Sequence, residues 1–371
     1  MYRVFGSNGP IGWTDKPLAS GPGVILGRKG AYRGVQFSRE PFFVIDTAYY
    51  VVPKSKFDMR WLYYAIKYHK LGEIDDGSPI PSTTRSAVYV RKFDIPPLPE
   101  QRAIAAVLGT LDDKIELNRR MNATLEAMAR ALFQTWFVDF DPVRAKLDGR
   151  TPVGLDTATA ALIPENLDET SIGYVPRGWA VRSLDETADY LNGLALQKYP
   201  PGDGPTLPVI KIAQLRKGDS LGADRCSADL PHNFVVRDGD VLFSWSGSLE
   251  VELWCGGPGA LNQHLFKVTS TEFPRWFYYL WTLYHLEEFR VIAAGKATTM
   301  GHIQRGHLTA AKVLIPPRTL LEAMTQTMSP LIDQIVANRI QSRTLASLRD
   351  TLLPKLLSGE VALNKPNAAK T

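Results

Sequence analysis

Apolar residues follow two patterns along the chain: short punctuated runs and two long stripes. The short runs are Gly23-Val24-Ile25-Leu26, Tyr49-Tyr50-Val51-Val52, Asp240-Val241-Leu242-Phe243 and His264-Leu265-Phe266-Lys267-Val268. Gly, Pro, Asn and Asp bound them, which predicts strands. The first stripe is Ile104, Leu108, Leu111, Ile115, Asn118, Asn122, Leu125, Ala129, Leu132, Trp136. The second is Met324, Met328, Leu331, Ile335, Asn338, Ser342, Leu345, Arg349, Leu352, Leu356. Spacings that alternate four and three are those of a coiled-coil seam. Pro99 suits a first helical position, and Thr319-Leu320-Leu321-Glu322 has capping-box spacing. Asp141-Pro142 and Ser358-Gly359 supply the stops. Helices are therefore predicted over residues 99–137 and 319–357, each reaching up to ~58 Å at ~1.5 Å per residue. Both seams turn polar at Asn118 and Asn338. A seam Asn fixes register, and a polar patch facing solvent or a partner gives the same pattern.

The stripes belong to a repeat. Ile95-Pro96-Pro97 recurs as Ile315-Pro316-Pro317, an offset of 315 − 95 = 220. At that offset Leu111, Asp113, Ile115, Asn118, Arg119, Thr124, Leu125 and Leu132 recur as Leu331, Asp333, Ile335, Asn338, Arg339, Thr344, Leu345 and Leu352. Arg60-Trp61-Leu62-Tyr63-Tyr64 answers Arg275-Trp276-Phe277-Tyr278-Tyr279 at 275 − 60 = 215. The expected fold is α+β: two β-rich domains, 1–94 and 176–314, separated by an antiparallel two-helix coiled-coil spacer, 95–140 and 315–358. Residues 141–175, rich in Pro, Gly, Thr and Asp, read as a surface linker, and 359–371 as a tail. Spacer pairing is expected from Leu108, Leu111, Ile115, Asn118, Leu125 and Leu132 with Met328, Leu331, Ile335, Asn338, Leu345 and Leu352. A stiff spacer between repeated domains suggests measurement of a distance.

Composition narrows this little. A length of 371 residues suits two or three domains. The net charge of +5 and pI of about 9.0 tolerate a polyanion without demonstrating one. The two cysteines, Cys226 and Cys255, have no ligand spacing, so a reducing compartment is expected. Residues 1–10 lack a signal-peptide pattern, and the apolar runs fall short of the ~18 residues a membrane span needs. The cytoplasm is the default, with no membrane association.

Polar loops carry the candidate contacts: Ser7 and Asn8; Arg28 and Lys29; Thr84 and Arg85; Lys211, Gln214, Arg216 and Lys217; Ser244, Ser246 and Ser248; Asn262; Thr298 and Thr299. Arg and Lys suit phosphates or guanine edges, and Asn and Gln suit adenine. Singly, each is an ordinary solvated loop residue. With the repeat and spacer, the group reads as a DNA surface. The aromatic segments 60–68 and 275–284 could stack on bases, but such stripes are more often core. His264 is more often a hydrogen-bonded structural residue than a ligand. No P-loop, H-E-x-x-H, Cys/His cluster, G-x-S-x-G elbow or Asn/Asp-Pro-Pro-Tyr occurs. Neither a catalytic residue nor a metal ligand is expected.

Residues 95–104 (IPPLPEQRAI), then Leu111-Asp112-Asp113-Lys114-Ile115 and Asn118, resemble the helical spacer of Type I restriction-modification specificity subunits. Residues 136–143 (WFVDFDPV) and 352–360 (LLPKLLSGE) are similar to the ends of its two helices. Residues 6–12, 46–50 and 175–179 look like stretches of its target-recognition domains. The resemblance implies that each recognition domain reads half of a split DNA site while the helices set the unread gap. It implies no cofactor on this chain: S-adenosylmethionine, ATP and magnesium belong to partners. Those partners are double-stranded DNA, two adenine-methylating modification subunits and translocating restriction subunits. The chain departs from the pattern at its beginning. Residues 173–206 precede the segment that answers Tyr2-Arg3-Val4, and the first copy has no equivalent. The expectation is that the intact product begins upstream and that the first domain lacks an edge strand or loop. The alternatives are a coiled-coil scaffold presenting two domains to something other than DNA and, more remotely, a single-chain enzyme.

Overall fold

A computed structural model describes residues 1–74, 77, 79–295 and 301–363. The chain divides into two compact units, Met1–Glu116 with Thr344–Thr371, and Leu117–Arg343. The boundaries fall inside the two long helices. The helices are thus not free-standing, because each unit folds around part of both.

In the first unit the strands Tyr2–Gly6 and Gly9–Thr14 form a hairpin, and Phe42–Val44 adds in parallel to Tyr2–Gly6. A second sheet is antiparallel, in the order Val35–Ser38, Gly23–Gly27, Ala48–Tyr50. The central GVILG run is buried along its whole length, which explains its unbroken apolar character. A Cβ on Gly27 would lie 2.2 Å from the Ser7 carbonyl oxygen, so only glycine lets the hairpin turn close there. Asp58 caps the helix Met59–Tyr68 by accepting from the amides of Arg60 (3.0 Å) and Trp61 (2.9 Å). That helix buries Trp61, Leu62, Tyr64, Ala65 and Ile66 against Val24 and Leu26 of the sheet and Ile104, Leu108 and Leu356 of the long helices. Each large side chain so buried stabilises by about 1.5–3 kcal/mol.

The second unit has two four-stranded sheets. One runs Arg225–Ser227, Thr206–Ile210, Gly259–Leu261, Val235–Val236, with its two middle strands parallel. The other, fully antiparallel, runs Asp189–Asn192, Leu265–Thr269, Val241–Ser244, Val251–Leu253. Its aromatic helix, Arg275–Tyr284, buries Trp276, Phe277, Tyr279 and Trp281. Both aromatic segments are therefore core. Register recurs between the units. Leu26 faces Tyr49 and Gly27 faces Ala48, while Phe243 faces Phe266 and Ser244 faces Leu265. Each member shifts by 217 (243 − 26 and 266 − 49). The second unit adds Asp189–Asn192 outside Leu265–Thr269, and Ala180–Ser183 beside Lys312–Ile315.

Residues 141–175 are not a surface linker. They fold as helices Asp141–Leu147 and Thr157–Leu162 and the hairpin Leu167–Thr170 with Gly173–Pro176. Val143, Ile163 and Val175 enter the core of the second unit beside Phe140 and Trp179. The turn-forming residues that suggested a linker serve short elements. Three apolar anchors hold those elements down.

The first long helix spans Leu98–Phe133 and continues as a π-helical turn, Gln134–Val138, before Phe140 reverses the chain at φ 53°. The extra residue in that turn lets Trp136 and Phe137 both enter the core, where Phe137 meets Trp276, Phe277 and Trp281. The second helix spans Arg318–Leu357 and ends at Gly359, φ 75°. No residue of either predicted stripe is exposed. In the first unit the helices meet at Leu108 with Leu352 and Leu356, and at Asp112 with Arg349 (2.6 Å).

In the second unit the polar stretch of the seam is buried. Asn118 donates to the Asn338 carbonyl (3.3 Å) and to Gln341 Oε1 (2.9 Å), and lies 3.2 Å from Ser342 Oγ. Asn338 donates to Asn122 Oδ1 at 2.9 Å, and Asn122 to the Ile335 carbonyl at 3.2 Å. Of the two readings of the seam asparagines, the buried interhelical layer is the one found. Shifting either helix by one residue would strand these amides, at about 1–3 kcal/mol for each unpaired group.

Candidate nucleic-acid interface

In the first unit three loops converge. Ser7 Oγ donates to the Thr47 carbonyl (2.5 Å) and accepts from the Lys29 amide (3.2 Å), tying the hairpin turn at residues 6–9 to the 27–30 loop. The Arg28 amide donates to Thr47 O (2.8 Å), and Arg28 O accepts from the Thr83 amide (2.8 Å). Thr84 caps the short helix Arg85–Tyr89 by accepting from the Ala87 amide at 3.2 Å. Ser7 and Thr84 thus build the surface, while Asn8, Lys29 and Arg85 project from it. The guanidinium carbons of Arg28 and Arg85 lie 5.5 and 5.2 Å from the centre of the Tyr49 ring. Tyr49 was not singled out in the sequence, because its run YYVV reads simply as strand.

In the second unit the candidate cations are compensated. Lys211 pairs with Asp224 (2.5 Å), Arg216 with Glu250 (3.4 Å) and Lys217 with Asp219 (3.1 Å). The Lys211 ammonium holds the Asp224 carboxyl below the usual carboxylate range, as hydrogen bonding and charge require. Gln214 turns back to accept from the Lys211 amide at 3.3 Å. Ser244 is fully buried, donating to Ser248 O (2.6 Å) and accepting from the Glu250 amide (2.8 Å). Asn262, also buried, accepts from the His264 amide at 3.3 Å and donates to Gln263 at 2.8 Å. These two side chains shape loops rather than face solvent. Ser246 is buried against His264 Nδ1 (3.0 Å), so His264 has a structural partner. Ser248 is exposed beside Arg216 and Arg290 in a cavity of about 420 Å³. Thr298 and Thr299 lie outside the described residues.

Among the described residues no group of three or more His, Cys, Asp or Glu side chains is placed to hold a metal. No described helix is long and apolar enough to cross a membrane.

Residues 10–127 match the model of the Type I restriction modification DNA specificity domain. The Type I restriction enzyme MjaIX specificity subunit of Methanocaldococcus jannaschii is 24% identical, over 92% of this chain and 78% of its own. The HindI specificity subunit of Haemophilus influenzae is also 24% identical, over 86% of this chain and 80% of its own. A crystal structure of the S subunit from M. genitalium superposes with a TM-score of 0.53 at 16% identity, covering 96% of this chain and 88% of that one, which shows a shared fold. In its two β-rich units, its long helices and these matches, the chain is similar to Type I restriction-modification specificity subunits.

Proposed function

We propose that this chain confers DNA sequence specificity on a Type I restriction-modification complex, each β-rich unit reading one half of a split site. The observation that carries the reading is the first unit's loop surface, where Arg28, Lys29 and Arg85 converge on a frame of backbone hydrogen bonds. Preorganised cations and small polar side chains suit a phosphate backbone and its neighbouring base edges. The recurrent sheet register supports a duplicated reading unit, and the buried seam supports a spacer of fixed register. In this reading the two long helices set the unread gap and receive two modification subunits. Those subunits methylate adenine with S-adenosylmethionine. Restriction subunits use ATP and magnesium to translocate and cut, and the whole works in the cytoplasm. The chain itself contributes no reacting group.

The test is to co-express the chain with its modification subunits in a host free of adenine methylation, and to map the methylated adenines. One split sequence is expected. Four residues inserted after Glu116 and four after Arg343 should widen its gap, by about one helical turn or ~6 Å, with both half-sites unchanged. Scattered methylation, or half-sites that change with the insertion, overturns the reading.

A further inference from the structure

The two units differ in how their surface cations are balanced, and this difference bears on which of them grips DNA. Among the described residues neither Arg28 nor Arg85 has a carboxylate partner, whereas Lys211, Arg216 and Lys217 each have one. Arg28 donates only to a backbone oxygen, that of Asp46, at 3.3 Å. Both guanidiniums lie against one aromatic ring, and that ring is fixed by its strand partner Leu26.

Two like charges sharing one ring repel each other, and the ring's quadrupole offsets only part of that repulsion. One doubly hydrogen-bonded oxyanion would satisfy both, because guanidinium forks match phosphate oxygens. We propose that Arg28 and Arg85, held on Tyr49, clamp a single DNA phosphate, and that the first unit supplies most of the salt-dependent part of DNA binding. The inference rests on the DNA-reading function above and adds Tyr49 as a positioning residue. Its electrostatic basis is counterion release. A cation already paired with a carboxylate must surrender that partner to reach a phosphate, so it releases little counterion from the duplex on balance.

The experiment titrates the full chain, assembled with its modification subunits, against its mapped duplex and a scrambled one at salt from about 50 to 200 mM. Relative to the unsubstituted complex, Arg28→Ala with Arg85→Ala should reduce the log–log salt slope by about 1, equally on both duplexes. Tyr49→Leu should reduce the slope in the same direction, while Tyr49→Phe, which keeps the ring, should preserve it. Lys211→Ala with Arg216→Ala should leave it unchanged. A fall of about 2 in the arginine pair means two separate phosphate contacts and overturns the clamp. So does an unchanged slope, or an equal fall in the second-unit variant. If the unsubstituted complex retains neither duplex, the DNA reading itself fails, which is a separate outcome.

Discussion

The two β-rich units keep the same strand register yet close their sheets differently. In the second unit Leu265–Thr269 lies between two neighbours, and Val268 is buried. In the first, Ala48–Tyr50 pairs on one side only among the described residues, and Val51, which answers Val268, is only half-buried. Likewise Ile315 sits in a paired strand at 9% exposure, while its counterpart Ile95 is 55% exposed. The paired apolar face sets the register, because a slip of one residue would turn the core outward. The edge is decided separately by whatever lies beside it. One anchor is common to both units. Arg60 bonds Asp113 (2.7 Å) and the Gly109 carbonyl (2.8 Å), and Arg275 bonds Asp333 and the Gly239 carbonyl. A second anchor differs. Trp276 donates to Thr325 Oγ1 at 3.1 Å, but the matching position for Trp61 is Ala105, and its buried indole N–H finds no partner.

The largest expected difference is in amide hydrogen exchange. Residues 49–52 should exchange orders of magnitude faster than residues 266–269, because an open edge needs only local opening. Equal protection would show that the first unit's edge is covered. Next in size, Thr325→Ala should cost about 1–3 kcal/mol by leaving the Trp276 N–H as unpartnered as that of Trp61. The reciprocal Ala105→Thr should return about 1 kcal/mol to the first unit. Denaturant unfolding reads both, and no change in either would remove the tryptophan contrast. The smallest effect concerns the shared anchor. The Arg60 hydrogen bond holds the Asp113 carboxyl down at about 2. A depressed carboxylate stabilises fully above its ordinary range, and that contribution is lost as pH falls through about 2. Asp113→Asn should therefore flatten the acid limb of the stability profile. The effect is small because the carboxylate is 46% exposed. An unaltered acid limb would show that the pair contributes nothing.

The long-range plan was legible in the sequence because it is periodic. The four-three stripes mark the buried helix faces, and the offsets that align Arg60 with Arg275 and Asp113 with Asp333 also align their ion pairs. Two details of the helices were not legible. The π-helical turn at Gln134–Val138 answers a crowd of rings contributed by residues more than a hundred positions away. Residues 141–175 read as a linker because three buried anchors are too few to generate a period. Among the loops, residue type did not separate contact from scaffold. Ser244 and Ser248 look alike in sequence, yet one is buried and accepts a backbone amide while the other faces solvent. Short polar side chains bond their own backbone or water with equal ease, and only the surrounding packing decides.

The Asp112–Arg349 pair has a consequence for molecules that meet one another in the cell. Both long helices derive from one pattern, so a helix could select its twin in another molecule. In a first-with-first pairing Asp112 would face Ala129, because the offset of 220 takes Arg349 to position 129. In a second-with-second pairing Arg349 would face Ile332 by the same arithmetic. Either mismatch removes the interhelical ion pair, leaving Arg349 only its neighbour Asp350 (2.7 Å) and Asp112 only the Tyr64 hydroxyl (2.5 Å). One charge pair without an internal counterpart therefore favours the pairing of unlike helices over the pairing of like ones.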